Sequence, residues 1–137
     1  MECVKIGKKE LYLYCNGAAA LKISDMEAEY GAAHPDDERN IISLLCGRDM
    51  ACMELLCKAA AVLATQGELA RRYLGYDKGP LLEADDLIVL ATPGVLAAIR
   101  EAAIKAIVSG YSTGADDGDD EYDPLLAKIE KKTEPQG

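Results

Sequence analysis

Residues 50–64, with the sequence MACMELLCKAAAVLA, decide the fold that this chain predicts. Asp49 precedes them as a good N-cap, and the apolar residues recur three or four positions apart, which predicts a helix. Only Glu54 and Lys58 interrupt the apolar surface of these residues. A helix that is apolar nearly all round is either buried on several sides or faces a partner. We predict that Gly67 breaks or bends this helix and that it resumes afterwards.

The segments around this helix carry their own patterns. On the N-terminal side, apolar residues alternate with polar ones on both sides of Gly7-Lys8-Lys9, which predicts a β-hairpin. Apolar residues at helical spacing predict four further helices. These are a helix capped by Asn16 and stopped by Gly31, a short helix capped by Asp36 or Asp37 and ended by Gly47, a helix with Asp85 and Asp86 in its first turn, and a helix begun by Thr92-Pro93.

The composition changes after Gly110. Six acidic residues cluster between residues 116 and 123, which is typical of an acidic, partly disordered tail, and Asp123-Pro124 can cap one further short helix. The sequence therefore predicts a mostly α protein. Residues 1–110 form a helical domain of about five helices with an N-terminal β-hairpin, and residues 111–137 form an acidic linker and tail.

The charge and the length of the apolar runs exclude several classes of protein. The net charge is −9, whereas nucleic acids and anionic membranes bind clusters of Lys and Arg. No apolar run reaches the roughly 18 residues that a membrane span needs. The chain has an odd number of cysteines and shows no secretory signal, so we expect reduced thiols in the cytoplasm. These cysteines are Cys3, Cys15, Cys46, Cys52 and Cys57.

The chain offers little that resembles a catalytic or metal site. His34 is the only histidine, and Cys52 and Cys57 are five apart, which does not place two zinc ligands on one helix face. The acidic residues 116–123 lack the spacing of a calcium loop, and the glycine-containing loops lack the spacing that cradles phosphate. The sequence predicts no catalytic residue, no metal, no cofactor and no enzymatic activity. An enzyme would have to be built around His34 or a cysteine.

Two predicted helices, around residues 50–64 and 95–108, carry more apolar area than one layer of helices easily hides. Either they cross in the core, or they form a groove for another helix. Met50 and Met53 fit both alternatives, because methionine fills cores and also repacks at binding surfaces. As the candidate partner-binding apolar face we take Met50, Met53, Leu56, Leu63, Leu96, Ile99 and Ile107.

The order of these segments resembles a known family. The segments that carry the resemblance are Val4-Lys5-Ile6-Gly7-Lys8-Lys9-Glu10-Leu11, Glu27-Ala28-Glu29-Tyr30-Gly31, Leu82-Glu83-Ala84-Asp85-Asp86-Leu87, Val95 to Ser109, and the tail that ends Leu125-Leu126-Ala127-Lys128-Ile129-Glu130-Lys131-Lys132. Over residues 4–132 the chain is similar to the tail assembly chaperones of long-tailed bacteriophages and prophages. One difference is the first helix, which is often rich in aromatic residues in that family and here carries Ala18, Ala19 and Ala20.

The resemblance implies a protein that binds other proteins in the cytoplasm of a bacterial host. Such chaperones bind the helical tape measure protein, keep it in solution and help recruit tail tube subunits, and many also exist in a longer, frameshifted form. The expected partners are therefore a tape measure protein and a tail tube protein, and a homo-oligomer stays open. The alternative is a structural virion or head–tail connector component, whose spare apolar surface would face copies of itself.

Overall fold

In the computed structural model, residues 1–112 are described. Their elements are β1 (Glu2–Ile6), β2 (Lys9–Leu13), α1 (Gly17–Ala33), α2 (Ile41–Leu45), α3 (Met50–Tyr73), α4 (Ala84–Leu90) and α5 (Pro93–Gly110). The predicted fold class, a mostly helical protein of five helices with an N-terminal hairpin, is confirmed. The predicted disordered tail and its short helix fall within residues 113–137, which lie outside the described residues.

The two strands form an antiparallel hairpin with a two-residue turn. Val4 pairs with Leu11 and Ile6 with Lys9, so that Gly7 and Lys8 connect the strands. Gly7 has a φ of 63°, a conformation that glycine adopts at no steric cost. Val4, Leu11 and Leu13 are buried, as the alternation of apolar residues predicts. The hairpin therefore covers the core with one face and exposes most of its polar residues.

Helix α3 is the centre of the molecule. It is 24 residues long and packs against β2 and against the other four helices. This explains why its apolar surface extends nearly all round, because a helix covered on several sides buries residues in several directions. Its buried residues are Cys52, Leu55, Leu56, Cys57, Ala59, Ala60, Leu63, Ala64, Gly67 and Glu68.

The prediction that Gly67 breaks this helix is wrong. The helix continues through Gly67 to Tyr73, and Gly67 is buried. A Cβ at this position would overlap the backbone carbonyl oxygen of Tyr12 in β2. The glycine is therefore a packing residue, since only a residue without a side chain lets the strand approach the helix this closely.

Three of the predicted helix caps are confirmed. The side chains of Asn16, Asp49 and Thr92 each accept a hydrogen bond from the backbone N–H three residues on, at 2.9, 2.9 and 3.2 Å. These bonds satisfy donors that the first turn of a helix leaves free. Glu83 and Asp86 form a reciprocal capping box at the start of α4.

Two predicted helix boundaries are wrong. Helix α2 is capped by Asn40 rather than by Asp36 or Asp37, because the Asn40 side chain accepts from Ser43 N at 2.9 Å. Helix α1 passes through Gly31 and ends at Ala33, two residues before Pro35, and a proline disfavours helical geometry in the residue that precedes it.

We expect Gly67→Ala to destabilise the protein by about 2 to 3 kcal/mol, because the added methyl group forces the strand away from the helix. Gly31→Ala is the matched control: a Cβ there meets nothing within 4 Å, so higher helix propensity stabilises the protein by up to about 1 kcal/mol. Urea unfolding followed by circular dichroism measures both changes. Equal stability of the two variants would contradict the packing role of Gly67.

Candidate functional site

The predicted partner-binding face is largely buried. Leu56, Leu63, Ile99 and Ile107 belong to the core, so they contribute nothing to an exposed surface. The reason is that α3 and α5 pack against each other and turn their apolar sides inward. Of the two alternatives left open by the sequence, the helices cross in the core.

The other three residues of the predicted face do not form one surface patch. Met50 is 78% exposed at the start of α3, whereas Met53 and Leu96 are partly buried. The sulfur of Met53 contacts Arg100 Nη2 at 3.2 Å, and Arg100 Nε donates to the carbonyl oxygen of Leu45 at 2.9 Å. Met53 therefore packs within the contact between α3, α5 and the end of α2.

Three consecutive exposed apolar residues lie on α4. Only Leu87 of this short helix is buried, whereas Ile88, Val89 and Leu90 are all exposed, Val89 at 81%. We call these three exposed residues the α4 patch. Single exposed apolar residues are ordinary, but adjacent ones on a helix of seven residues mark a surface that another molecule can cover.

The α4 patch continues into a groove beside the hairpin turn. Leu90 lines this groove together with Ile6, Leu11, Pro80 and Leu82, and its volume is about 160 Å³. Lys8, Lys9 and Glu10 line it as well and are exposed. We call it the hairpin groove; it is a mainly apolar trough that two lysines also line.

Sequence reasoning missed this surface although a signal was present. Residues 87–90 read Leu-Ile-Val-Leu, four consecutive apolar residues that directly follow Asp85 and Asp86. A helix that packs on one side buries about half of such a run, so the others must be exposed. Helical spacing places Leu87, Leu90 and Ala91 on one side of this helix, and that side leaves out Ile88 and Val89.

His34, the one histidine, lies in a cluster that braces a loop. Its ring stacks on the ring of Tyr30 with centroids 4.0 Å apart, and Nδ1 lies 3.1 Å from the Tyr30 carbonyl oxygen. Asp37 accepts hydrogen bonds from Arg39 at 2.8 Å and from the Tyr30 hydroxyl at 2.8 Å, and these hold the pKa of Asp37 well below its usual range. The contacts fix the connection between α1 and α2.

The buried cysteine nearest this cluster is unsuited to nucleophilic chemistry. Burial is the main cause of the raised pKa of the Cys52 thiol, and the hydrogen bond from this thiol to Asp49 raises the pKa further. Burial also raises the pKa of Cys15 and Cys57. The thiolate is the nucleophilic form, so these raised pKa values keep the three thiols protonated at neutral pH.

Glu68 is the buried charged residue of α3. It is 5% exposed, and its carboxylate accepts from Arg71 Nη1 and Arg72 Nε, both at 2.9 Å, and from the backbone N–H of Gly79 at 2.5 Å. Arg72 Nη2 also donates to the Gly79 carbonyl oxygen at 3.0 Å. This brace ties the segment after α3 back onto the helix and so positions the residues that lead to α4.

Metal binding and membrane insertion are two further roles that the described residues could have. Among residues 1–112, no group of three or more His, Cys, Asp or Glu side chains is arranged to hold a metal ion. Within the same residues, no helix has both the length and the apolar character needed to cross a membrane. Among residues 1–112 we take the hairpin groove and the α4 patch as the candidate site, because an apolar groove there adjoins consecutive exposed apolar residues.

Replacing Glu68 with Gln removes a charge that two arginines neutralise, and we expect a loss of about 3 kcal/mol at pH 7. Burial opposes ionisation of Glu68, but the hydrogen bonds from Gly79, Arg72 and Arg71 outweigh it and lower its pKa. The carboxylate thus stabilises the fold fully above about pH 5, and this contribution decreases as the pH falls below about 4.3 towards the folded-state pKa.

The free-energy difference between the original protein and Glu68→Gln, measured by urea unfolding, is therefore expected to be largest at pH 7 and to shrink below about pH 4. Glu101→Gln serves as the control, because Glu101 pairs with Lys105 at 3.3 Å on the exposed side of α5. A constant difference between pH 7 and pH 3 would contradict the assignment to Glu68.

Known proteins give no further constraint on this site. Comparison with models of protein families, with curated proteins and with solved structures found no match for this chain. The function therefore has to be argued from the geometry of the site and from its sequence.

Proposed function

We propose that this protein is a tail assembly chaperone that binds an apolar helical segment of a phage tape measure protein and aids assembly of the tail tube. The α4 patch, continuous with the hairpin groove through Leu90, carries the proposal. It provides an apolar surface at a place where no element of the described residues covers it. The proposed place of action is the cytoplasm of a bacterial host, and the proposed role involves no catalysis.

The size and shape of this surface favour an amphipathic helix as the client. A helix inserts a few side chains, spaced three or four residues apart, into an apolar groove. The hairpin groove, at about 160 Å³, accommodates one or two such side chains, and the neighbouring Ile88 and Val89 extend the contact along α4. A client with repeated apolar faces would be coated by several copies, each held more tightly because the client is shared.

The charge of the chain supports the same role. A net charge of −9 keeps a protein apart from its own copies and in solution. A coat of acidic copies would extend this repulsion to the apolar client that it covers. Tail tube subunits would then reach a client that is in solution rather than aggregated.

We expect Val89→Asp to weaken client binding at least about tenfold, because it places a charge in the centre of the apolar contact. The measurement is co-expression with the tape measure product of the same gene cluster, followed by size-exclusion chromatography and titration of the purified complex. Val108→Asp is the matched control, since Val108 is 58% exposed and also lies close to the C-terminal end of its helix. It should bind the client as the original protein does.

Three results would contradict the proposal. The client could stay insoluble in the presence of the protein, or the two valine variants could bind equally well. Alternatively, the pure chain could form a defined ring or filament in light scattering without any client, which would support the structural virion or connector component instead.

A further inference from the structure

The C-terminal segment of this chain matches the hairpin groove in chemistry. Residues 116–123 contain six acidic residues, and Leu125, Leu126 and Ile129 follow at the spacing of one helix face. The groove has the complementary composition, because Lys8 and Lys9 line it together with the apolar side chains of Ile6, Leu11, Pro80, Leu82 and Leu90. We propose that the hairpin groove binds this segment of the same chain, with the acidic residues against the two lysines and the leucines against the apolar floor.

The connection is long enough for this contact. Helix α5 ends at Gly110 beside Cys15, and a Cβ on Gly110 would lie 2.5 Å from the Cys15 carbonyl oxygen. The six residues from Cys15 back to Lys9 span about 20 Å when extended. The thirteen residues from Ser112 to Leu125 span up to about 43 Å. The segment therefore reaches the groove with length to spare.

The local charge makes the groove a better binding place for the acidic segment than most of the protein surface. The chain is strongly acidic, but two of the three charged residues that line the groove, Lys8 and Lys9, are positive. The third charged residue of the groove, Glu10, accepts a hydrogen bond from the Tyr12 hydroxyl at 2.6 Å. At physiological salt the attraction acts over about 8 Å, so it helps only a segment that is already close, as one on the same chain is.

When no client is bound, the C-terminal segment of the chain would cover the apolar floor of the groove and shield it from water. A client helix would then have to displace the tail, so the tail lowers the apparent affinity for every client by the same factor and only strong clients stay bound. This regulatory consequence depends on the proposed function, whereas the contact itself does not.

The test uses the full chain without any client. A photoreactive p-benzoylphenylalanine replaces Leu90, which lines the groove and is exposed enough to tolerate a large side chain. After irradiation of dilute protein, the monomer is digested and the cross-linked peptides are identified by mass spectrometry. We expect cross-links from position 90 to peptides within residues 113–132 of the same molecule.

Two sets of variants test the two halves of the contact. Lys8→Glu with Lys9→Glu, and separately Leu125→Asp with Leu126→Asp, should each reduce the cross-link yield about threefold or more, since each removes one set of complementary groups. Lys105→Glu is the control, as an exposed lysine on α5 outside the groove, and should leave the yield unchanged. Circular dichroism confirms that every variant is folded.

A monomer without cross-links to residues 113–132 would overturn the proposal. So would cross-links found only in dimers, because they would assign the groove to a second copy of the chain. Failure here would leave client binding intact, and failure of client binding would leave the cross-link intact, so the two proposals are tested separately.

Discussion

The close approach of strand β2 to helix α3 at Gly67 is the constraint on which the other contacts depend. A two-stranded hairpin is marginal alone in water, so it must be covered on one face. Helix α3 provides this cover, and Tyr14 N donates to the Leu63 carbonyl oxygen at 3.1 Å while Asn16 Nδ2 donates to Gln66 Oε1 at 3.0 Å. These bonds attach the residues that follow β2 to α3, and a side chain at Gly67 would push the strand away from the helix.

Glu68, the next residue of α3, fixes the segment before α4, which forms the other wall of the candidate site. Glu68 holds Gly79 through its carboxylate, and Arg71 lies over the rings of Tyr12 and Tyr76 at 4.5 and 5.2 Å. The hairpin and the segment before α4 are thus attached to α3 within a single turn. The hairpin groove lies between two elements that share one support, which gives its two walls a fixed spacing.

The sequence predicted what depends on local chemistry and missed what depends on distant contacts. Caps such as Asn16, Asp49 and Thr92 satisfy nearby backbone donors, so their residue types identify them. Gly67 was misread because propensity treats glycine as a breaker, whereas its role comes from a strand 55 positions earlier. Leu56 and Ile99 were read as a partner surface because periodicity shows which residues share a face, not which element covers it.

The dependence of the hairpin on α3 has a consequence for synthesis on the ribosome. The strands are complete once Leu13 has been added, but the helix that covers them extends to Tyr73, about 60 residues later. At roughly 5 to 20 residues per second, this delay lasts about 3 to 12 s. During that time the apolar side of the hairpin is exposed in the nascent chain, and the charges of Lys8 in the turn and Lys9 beside it oppose pairing with neighbouring chains.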